Sequence, residues 1–347
     1  MVQVATEFRS DVLFILKKRS QHYGGAILSS GLANSIAMLV QMLRSNSIDA
    51  IAKEVVDNNC IDRLVTMCRP RVVVIEALWV VPEKLELLKR LHPRTQWVVR
   101  LHSKLPFIAG EGIAIEWLHK MVRMYPSVEV SANSIPMCND LSSLYNVPIK
   151  YLPNHYAVEL KHGYCHWRTR NGELNVSCFG AVRPLKNQLI QAVAAIAYAD
   201  AHNRDLKFHI NSTRVEGCAN AVLKNIRALF PVTSPHELVE HPWLSHDDFK
   251  TLIRTKIDIG LQVSYSETFN IVAADHIDCG VPVVVSEEIL FVHDDFKASP
   301  NSVPSITRAM GRAMASRTGV RRNTRLLQTS NDTAEKVWKS SFNWDRE

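Results

Sequence analysis

Two carboxylates, Glu267 and Asp275, are separated by seven residues in the run that opens Ser264-Tyr265-Ser266-Glu267-Thr268-Phe269-Asn270. That spacing is about two helical turns, so a helix starting near Phe269 would carry Asp275 and leave Glu267 at its N-terminal mouth. Paired acceptors of this kind suit sugar and ribose hydroxyls, a metal ion, or general acid and base work. A second constellation is Gly180-Ala181-Val182-Arg183-Pro184-Leu185-Lys186-Asn187. Arg183 and Lys186 at a helix start add two positive charges to its dipole and suit a diphosphate, or are simply exposed cations. Gly24-Gly25 stands before another helical pattern, as a loop whose amides approach a phosphate or as a plain turn. His102 ends the run Trp97 to Leu101, either to meet a hydroxyl or to serve the core. Glu76 interrupts an apolar run, either as a strand-end ligand residue or as a satisfied buried acid.

These residues need a scaffold, and the chain offers apolar runs alternating with helical periodicity. Candidate strands are Val12 to Leu16, Val72 to Ile75, Trp97 to Leu101 and Val128 to Val130, with a helix from Ser30 to about Met42. Two prolines in Val147 to Tyr156 break the pattern and mark a boundary. Beyond it come Leu174 to Phe179, a helix from Asn187 to about Ala201, Leu206 to Ile210, Ile257 to Leu261, and Val281 to Val285. Strands alternating with helices imply α/β units with parallel sheets covered on both faces. Sites in such units lie at the carboxyl ends of strands, and two facing units would bind ligand in the cleft between them.

The 347 residues exceed a usual single domain. No apolar run approaches the ~18 residues that span a bilayer. The N-terminus lacks the basic and apolar regions of a signal peptide, so the cytoplasm is the expected location. Seven scattered cysteines without Cys-x-x-Cys read as reduced, mostly buried thiols. No His-Glu-x-x-His, Walker loop or Gly-x-Ser-x-Gly occurs, which removes support for metal and acyl-enzyme chemistry. The net charge of +7 favours a polyanionic partner, or serves solubility alone. Six arginines between Arg308 and Arg325 are spaced so that several share one helical face.

Taken together, these motifs resemble the retaining GT-B glycosyltransferases, especially the family-4-like group, over nearly the whole chain. The specific part is Ser264-x-x-Glu267-Thr268-Phe269 with Asp275 and the turn Cys279-Gly280-Val281-Pro282-Val283-Val284, joined by the Arg183 and Lys186 segment. Weaker matches are Gly24-Gly25, His102, Leu152-Pro153-Asn154 and Phe342-Asn343-Trp344. Asp275 stands where that family has Glu, and Asn270 where it has Gly.

The resemblance implies a GT-B fold of two facing Rossmann-like domains with a cleft between them. Residues 1–155 would bind the acceptor and 156–330 the nucleotide sugar, with 331–347 a helix packing back on the first domain. Arg183 and Lys186 would hold the donor diphosphate, Asp275 the ribose, and Glu267 the transferred sugar, which His102 would also touch. Gly24, Gly25, Ser266, Thr268 and Phe269 complete the expected donor contacts. The implied activity is metal-independent hexosyl or pentosyl transfer with retention, from a UDP-sugar for preference. The acceptor is a hydroxymethylated pyrimidine in double-stranded DNA, in the style of phage-encoded GT-B proteins in a host cytoplasm, or an envelope glycan reached by peripheral membrane contact. A third reading is a GT-B-like binding module without catalysis.

Overall fold

The computed structural model describes residues 8–18, 30–159 and 172–344. Gly24, Gly25 and Cys165 lie outside the described residues. The described chain forms two compact units, one of residues 8–18, 30–157 and 331–344, the other of 158–159 and 172–330.

In the first unit, β1 (Ser10–Lys17), β2 (Ala50–Val55), β3 (Pro70–Glu76), β4 (Gln96–Leu101), β5 (Val128–Ala132) and β6 (Lys150–Tyr151) pair in parallel, in the order β2-β1-β3-β4-β5-β6. Its helices are α1 (Gly31–Ser45), α2 (Cys60–Cys68), α3 (Pro82–Leu91), α4 (Leu105–Ile108), α5 (Ala114–His119) and α6 (Ile135–Tyr145). Ser30 caps α1 by accepting from the Ala33 N–H at 3.1 Å, and α1 runs three residues beyond the expected Met42. Along β1, Leu13 and Ile15 enter one apolar cluster while Val12, Phe14 and Leu16 enter another, so both faces of the sheet are covered.

The second unit has β7 (Glu173–Ser177), β8 (Asp205–Asn211), β9 (Glu237–His241), β10 (Ile259–Gln262) and β11 (Val283–Val285), all parallel, in the order β11-β10-β7-β8-β9. Its helices are α7 (Gln188–Ala201), α8 (Asn220–Ala228), α9 (His246–Lys256), α10 (Ile271–Asp278) and α11 (Val303–Ala315). A last helix, α12 (Gly319–Ser341), belongs to the first unit from Asn331 on. There Trp338 meets Phe14 edge-on at 5.6 Å and donates its indole N–H to the Pro153 carbonyl at 2.9 Å. Counted from its first strand, the second sheet has the 3-2-1-4-5 order of nucleotide-binding sheets. Its winding direction reverses between β7 and β10, where such sheets bind ligands beyond the strand ends. In the first sheet the reversal falls between β1 and β3.

The six arginines divide between two helices: Arg308 and Arg312, one turn apart, lie on α11, Arg321, Arg322 and Arg325 on α12, and Arg317 between them. Ser316, Thr318 and Gly319 are poor helix formers, and Gly319 sits so close to Phe296 that a Cβ would lie 2.6 Å from its ring. The thiols are less uniformly buried than expected: Cys138, Cys178 and Cys279 are buried, whereas Cys60 and Cys218 are exposed.

Gly260 in β10 is required by close packing. A Cβ there would lie 2.5 Å from His276 Cδ2 and 2.6 Å from Nε2. The ring cannot retreat, because Nδ1–H donates to the Val272 carbonyl at 2.7 Å and Nε2 accepts from the Ser177 hydroxyl at 2.8 Å. Gly260→Ala is therefore expected to destabilise the protein by about 1–3 kcal/mol, as overpacking does. A urea midpoint equal to that of the parent chain would refute the packing argument.

Candidate functional site

In the second unit, the loops after β7 and β10 meet at the reversal point. Gly180, at φ +112°, turns the chain out of β7 and donates its N–H to Asn211 Oδ1 at 2.9 Å. A 3-10 turn over Pro184–Lys186 and a left-handed Asn187 then lead into α7. The Lys186 ammonium is ion-paired to Glu267 Oε1, with side chains only 10% and 9% exposed. Burial pulls the Lys186 pKa below its ordinary value, partly offset by the Glu267 carboxylate. Arg183 lies beside them and reaches Glu216 at 3.6 Å.

Amide side chains hold these loops together. Asn187 Nδ2 donates to the carbonyls of Val263 and Pro300 at 3.0 and 2.8 Å, and the Tyr265 N–H donates to the Leu185 carbonyl at 2.9 Å. Asn270 caps α10, accepting from the Ala273 N–H at 2.9 Å while its Nδ2 donates to Gln262 Oε1. The helix thus begins at Ile271, two residues past Phe269, with Glu267 on the loop before it and Asp275 within it. Asn270 has a structural task that glycine could not perform. Phe269 packs on Phe291 with ring centroids 5.0 Å apart, and Ser266 and Thr268 are half-buried beside Glu267.

Asp275 is 1% exposed and accepts from His246 Nε2 at 2.7 Å. Burial alone would lower the His246 pKa, but the hydrogen bond and charge of Asp275 outweigh it and the net shift is upward. The second acid of the motif is therefore presented together with the His246 imidazole, whose charged form it favours, at the first residue of α9. Glu288 adds a third carboxylate, whose Oε2 accepts from the Glu267 N–H at 3.1 Å. Neither His246 nor Glu288 stood out in sequence, since each comes from a different strand-end loop and matches no spacing rule.

In the first unit, Glu76 is the satisfied buried acid of the two alternatives. Its carboxylate receives Arg100 Nη1 at 3.3 and 3.2 Å, with both side chains fully buried. Arg100 also donates through Nε to the Leu152 carbonyl at 2.8 Å and through Nη2 to Asn154 Oδ1. His102 donates through Nε2 to Glu76 Oε2 and presents Nδ1 to Asn133 Nδ2 at 3.3 Å. Burial pulls its pKa down, partly opposed by the charge of Glu76. Ala77, next to Glu76, holds a left-handed φ of 72°, strain of a kind that concentrates at functional sites.

The structure thus brings Arg183, Lys186 and Glu267 together on one unit, with Ser266, Thr268 and Phe269 on the loop of Glu267 and Asp275 of α10 paired to His246, and builds a polar cluster around His102 on the other. Among the described residues, no three His, Cys, Asp or Glu side chains converge to hold a metal ion. Among those residues, too, no helix is long and apolar enough to cross a membrane.

No protein-family model matches this chain, and no curated protein matches it by sequence. Solved structures do. The N-terminal domain of trehalose-6-phosphate phosphatase from Candida albicans superposes with a TM-score of 0.70 at 9% identity, covering 97% of this chain and 96% of that one. Sucrose-phosphate synthase from Thermosynechococcus elongatus gives 0.67 at 12% identity, over 96% and 99%. An E. coli structure described as trehalose-6-phosphate bound with UDP-2-fluoro glucose gives 0.63 at 10%, over 95% and 98%. The chain has the fold of the GT-B glycosyltransferases over nearly its whole length. At these identities the likeness speaks for the fold alone.

Proposed function

We propose that this protein transfers a sugar from a nucleotide-sugar donor, UDP-linked for preference, to an acceptor hydroxyl. The observation that carries the reading is the Lys186 and Glu267 pair at the β7/β10 reversal, with Arg183 beside it. Two cations and a carboxylate on adjoining strand-end loops match the two halves of a sugar diphosphate: anionic oxygens on one side, hydroxyls on the other. A similar fold bound with UDP-2-fluoro glucose supports the donor class.

In this mechanism the bond between the anomeric carbon and the diphosphate oxygen breaks as negative charge grows on that oxygen. Lys186 and Arg183 stabilise the charge without reorganising. Glu267 accepts from sugar hydroxyls, and the His246 and Asp275 pair meets the ribose. The acceptor oxygen attacks on the face that the diphosphate leaves, and its proton passes to a diphosphate oxygen, giving retention. His102, oriented by Glu76 and Asn133, binds a substrate hydroxyl. No step assigned to these residues calls for a metal.

For the acceptor, the net charge of +7 favours a polyanion, and double-stranded DNA carrying a hydroxymethylated pyrimidine is the leading class. The duplex would release counterions on binding, and its base would be flipped out for reaction. A mass-detected screen of UDP- and GDP-sugars against modified DNA and glycolipid acceptors tests both parts. A hexose or pentose increment on the DNA is the expected result. Labelled glycolipid with unlabelled DNA would replace the acceptor, and no donor turnover with any acceptor would remove the transferase reading. Duplex binding should also weaken steeply between 50 and 200 mM salt, by roughly 10³-fold or more if six or more phosphates are neutralised.

A further inference from the structure

Reading Arg183 and Lys186 as diphosphate ligands leaves the nucleobase without a seat, and the neighbouring loops supply one. Arg183 reaches Glu216 Oε2, and the other oxygen of the same carboxylate accepts from Arg214 Nε at 2.7 Å. With Nε and Nη2 both committed to Glu216, Arg214 lays its guanidinium plane over the Trp243 ring, 4.8 Å from the centroid. The Trp243 main-chain N–H donates to Thr213 Oγ1 at 3.0 Å. The loop after β7 pairs with the loop after β8 through Val182 N–H to the Arg214 carbonyl and Glu216 N–H to the Val182 carbonyl, both at 2.9 Å. Asn211 joins β8 to both neighbours, accepting from the Gly180 N–H and donating to the Pro242 carbonyl. Three strand-end loops are thereby locked into one surface, with a flat cation-bearing aromatic one carboxylate away from Arg183.

We propose that Arg214 and Trp243 form a stacking platform for the nucleobase of a nucleoside diphosphate. The proposal rests on the donor reading of Arg183 and Lys186. Stacked aromatic and guanidinium planes hold a base by its π face. The side chains that could read a base edge, Asn211 and Thr213, are engaged in joining the loops. The platform therefore adds affinity without choosing the base, and uracil and guanine gain from it alike.

Calorimetric titration of the full chain with UDP, GDP and pyrophosphate tests this in the parent, Trp243→Leu and Trp243→Phe proteins, with thermal midpoints checking the fold. Trp243→Leu is expected to weaken UDP and GDP about tenfold or more, the size of a lost base stack, and to leave pyrophosphate affinity unchanged. Trp243→Phe should recover most of the loss. Unchanged UDP affinity in Trp243→Leu overturns the platform, as does a parallel loss of UDP and pyrophosphate, which would make Trp243 a loop support. A parent protein that binds pyrophosphate as tightly as UDP overturns the platform and leaves the diphosphate site standing. One that binds none of the three removes the donor reading itself.

Discussion

Replacing Lys186 with alanine is expected to lower sugar transfer by at least ~10²-fold, the usual cost of losing one preorganised group that stabilises transition-state charge. It should also lower stability by about 3–5 kcal/mol, because Glu267 is left as a buried charge without its counterion. Glu267→Ala should behave the same way, stranding the Lys186 ammonium where the two side chains are 10% and 9% exposed. The double variant Lys186→Met with Glu267→Leu separates the two effects. Packed apolar replacements commonly match or exceed a buried pair in stability, so the double variant should regain most of the urea midpoint while transfer stays absent. Undiminished turnover in either single variant would refute the site. Singles as stable as the double would show that the pair is not electrostatically coupled.

The second large effect is acid sensitivity centred on His209. Asn175 Nδ2 donates to Glu173 Oε1 at 3.1 Å, which turns Asn175 Oδ1 toward His209 Nε2 at 3.0 Å. His209 must carry its proton on Nε2 and accept at Nδ1 from His241 Nε2, 2.9 Å away. A second proton on His209 would set two N–H groups against each other. Burial, with the neighbouring His241 and Lys207, lowers the His209 pKa to about 3. Because the folded value lies below the unfolded value of ~6.5, the unfolded chain binds more protons between them. Stability is present above pH ~6.5 and is lost as pH falls toward 3. For His209 alone the loss is about 2 kcal/mol between pH 7 and pH 5. His102, His155, His241 and His276 are shifted downward too, chiefly by burial, and add to it. His246 is shifted upward and works the other way, losing its contribution as pH rises through its folded value. Urea unfolding at both pH values should show a shallower dependence in His209→Gln. Identical slopes in the two proteins would disprove the assignment.

What could be read from the sequence follows from where each strand sits. Of the interior strands, β1, β3, β4 and the short β10 carry near-continuous apolar runs because both their faces are covered, whereas β5, β7 and β8 interleave apolar with polar residues. The strands that were missed are β2, with Ala52, Lys53 and Glu54 exposed, the two-residue β6, and β9, half-exposed along its length. Each is an outer strand of its sheet, where water satisfies one side and charge discourages further pairing, so no apolar run announces them. Arg100 shows the same limit from the opposite direction. Nothing in the run Trp97 to Leu101 singles it out, yet it is fully buried and joins β3, β4 and the 152–154 segment.

By itself the sequence determined two parallel α/β units and the residue types available at their strand ends, because periodicity and turn chemistry act over a few neighbouring residues. It also placed Glu267 and Asp275 about a helix start, a local geometry. Only the tertiary structure decided the partners. Lys186 meets Glu267 across 81 positions, His246 meets Asp275 across 29, and Arg214 meets Trp243 through loops that the strand order makes adjacent. Sheet order is set by packing among distant segments, and no local spacing encodes it. An ion pair or a stacked ring that depends on that order appears only when the sheet is assembled.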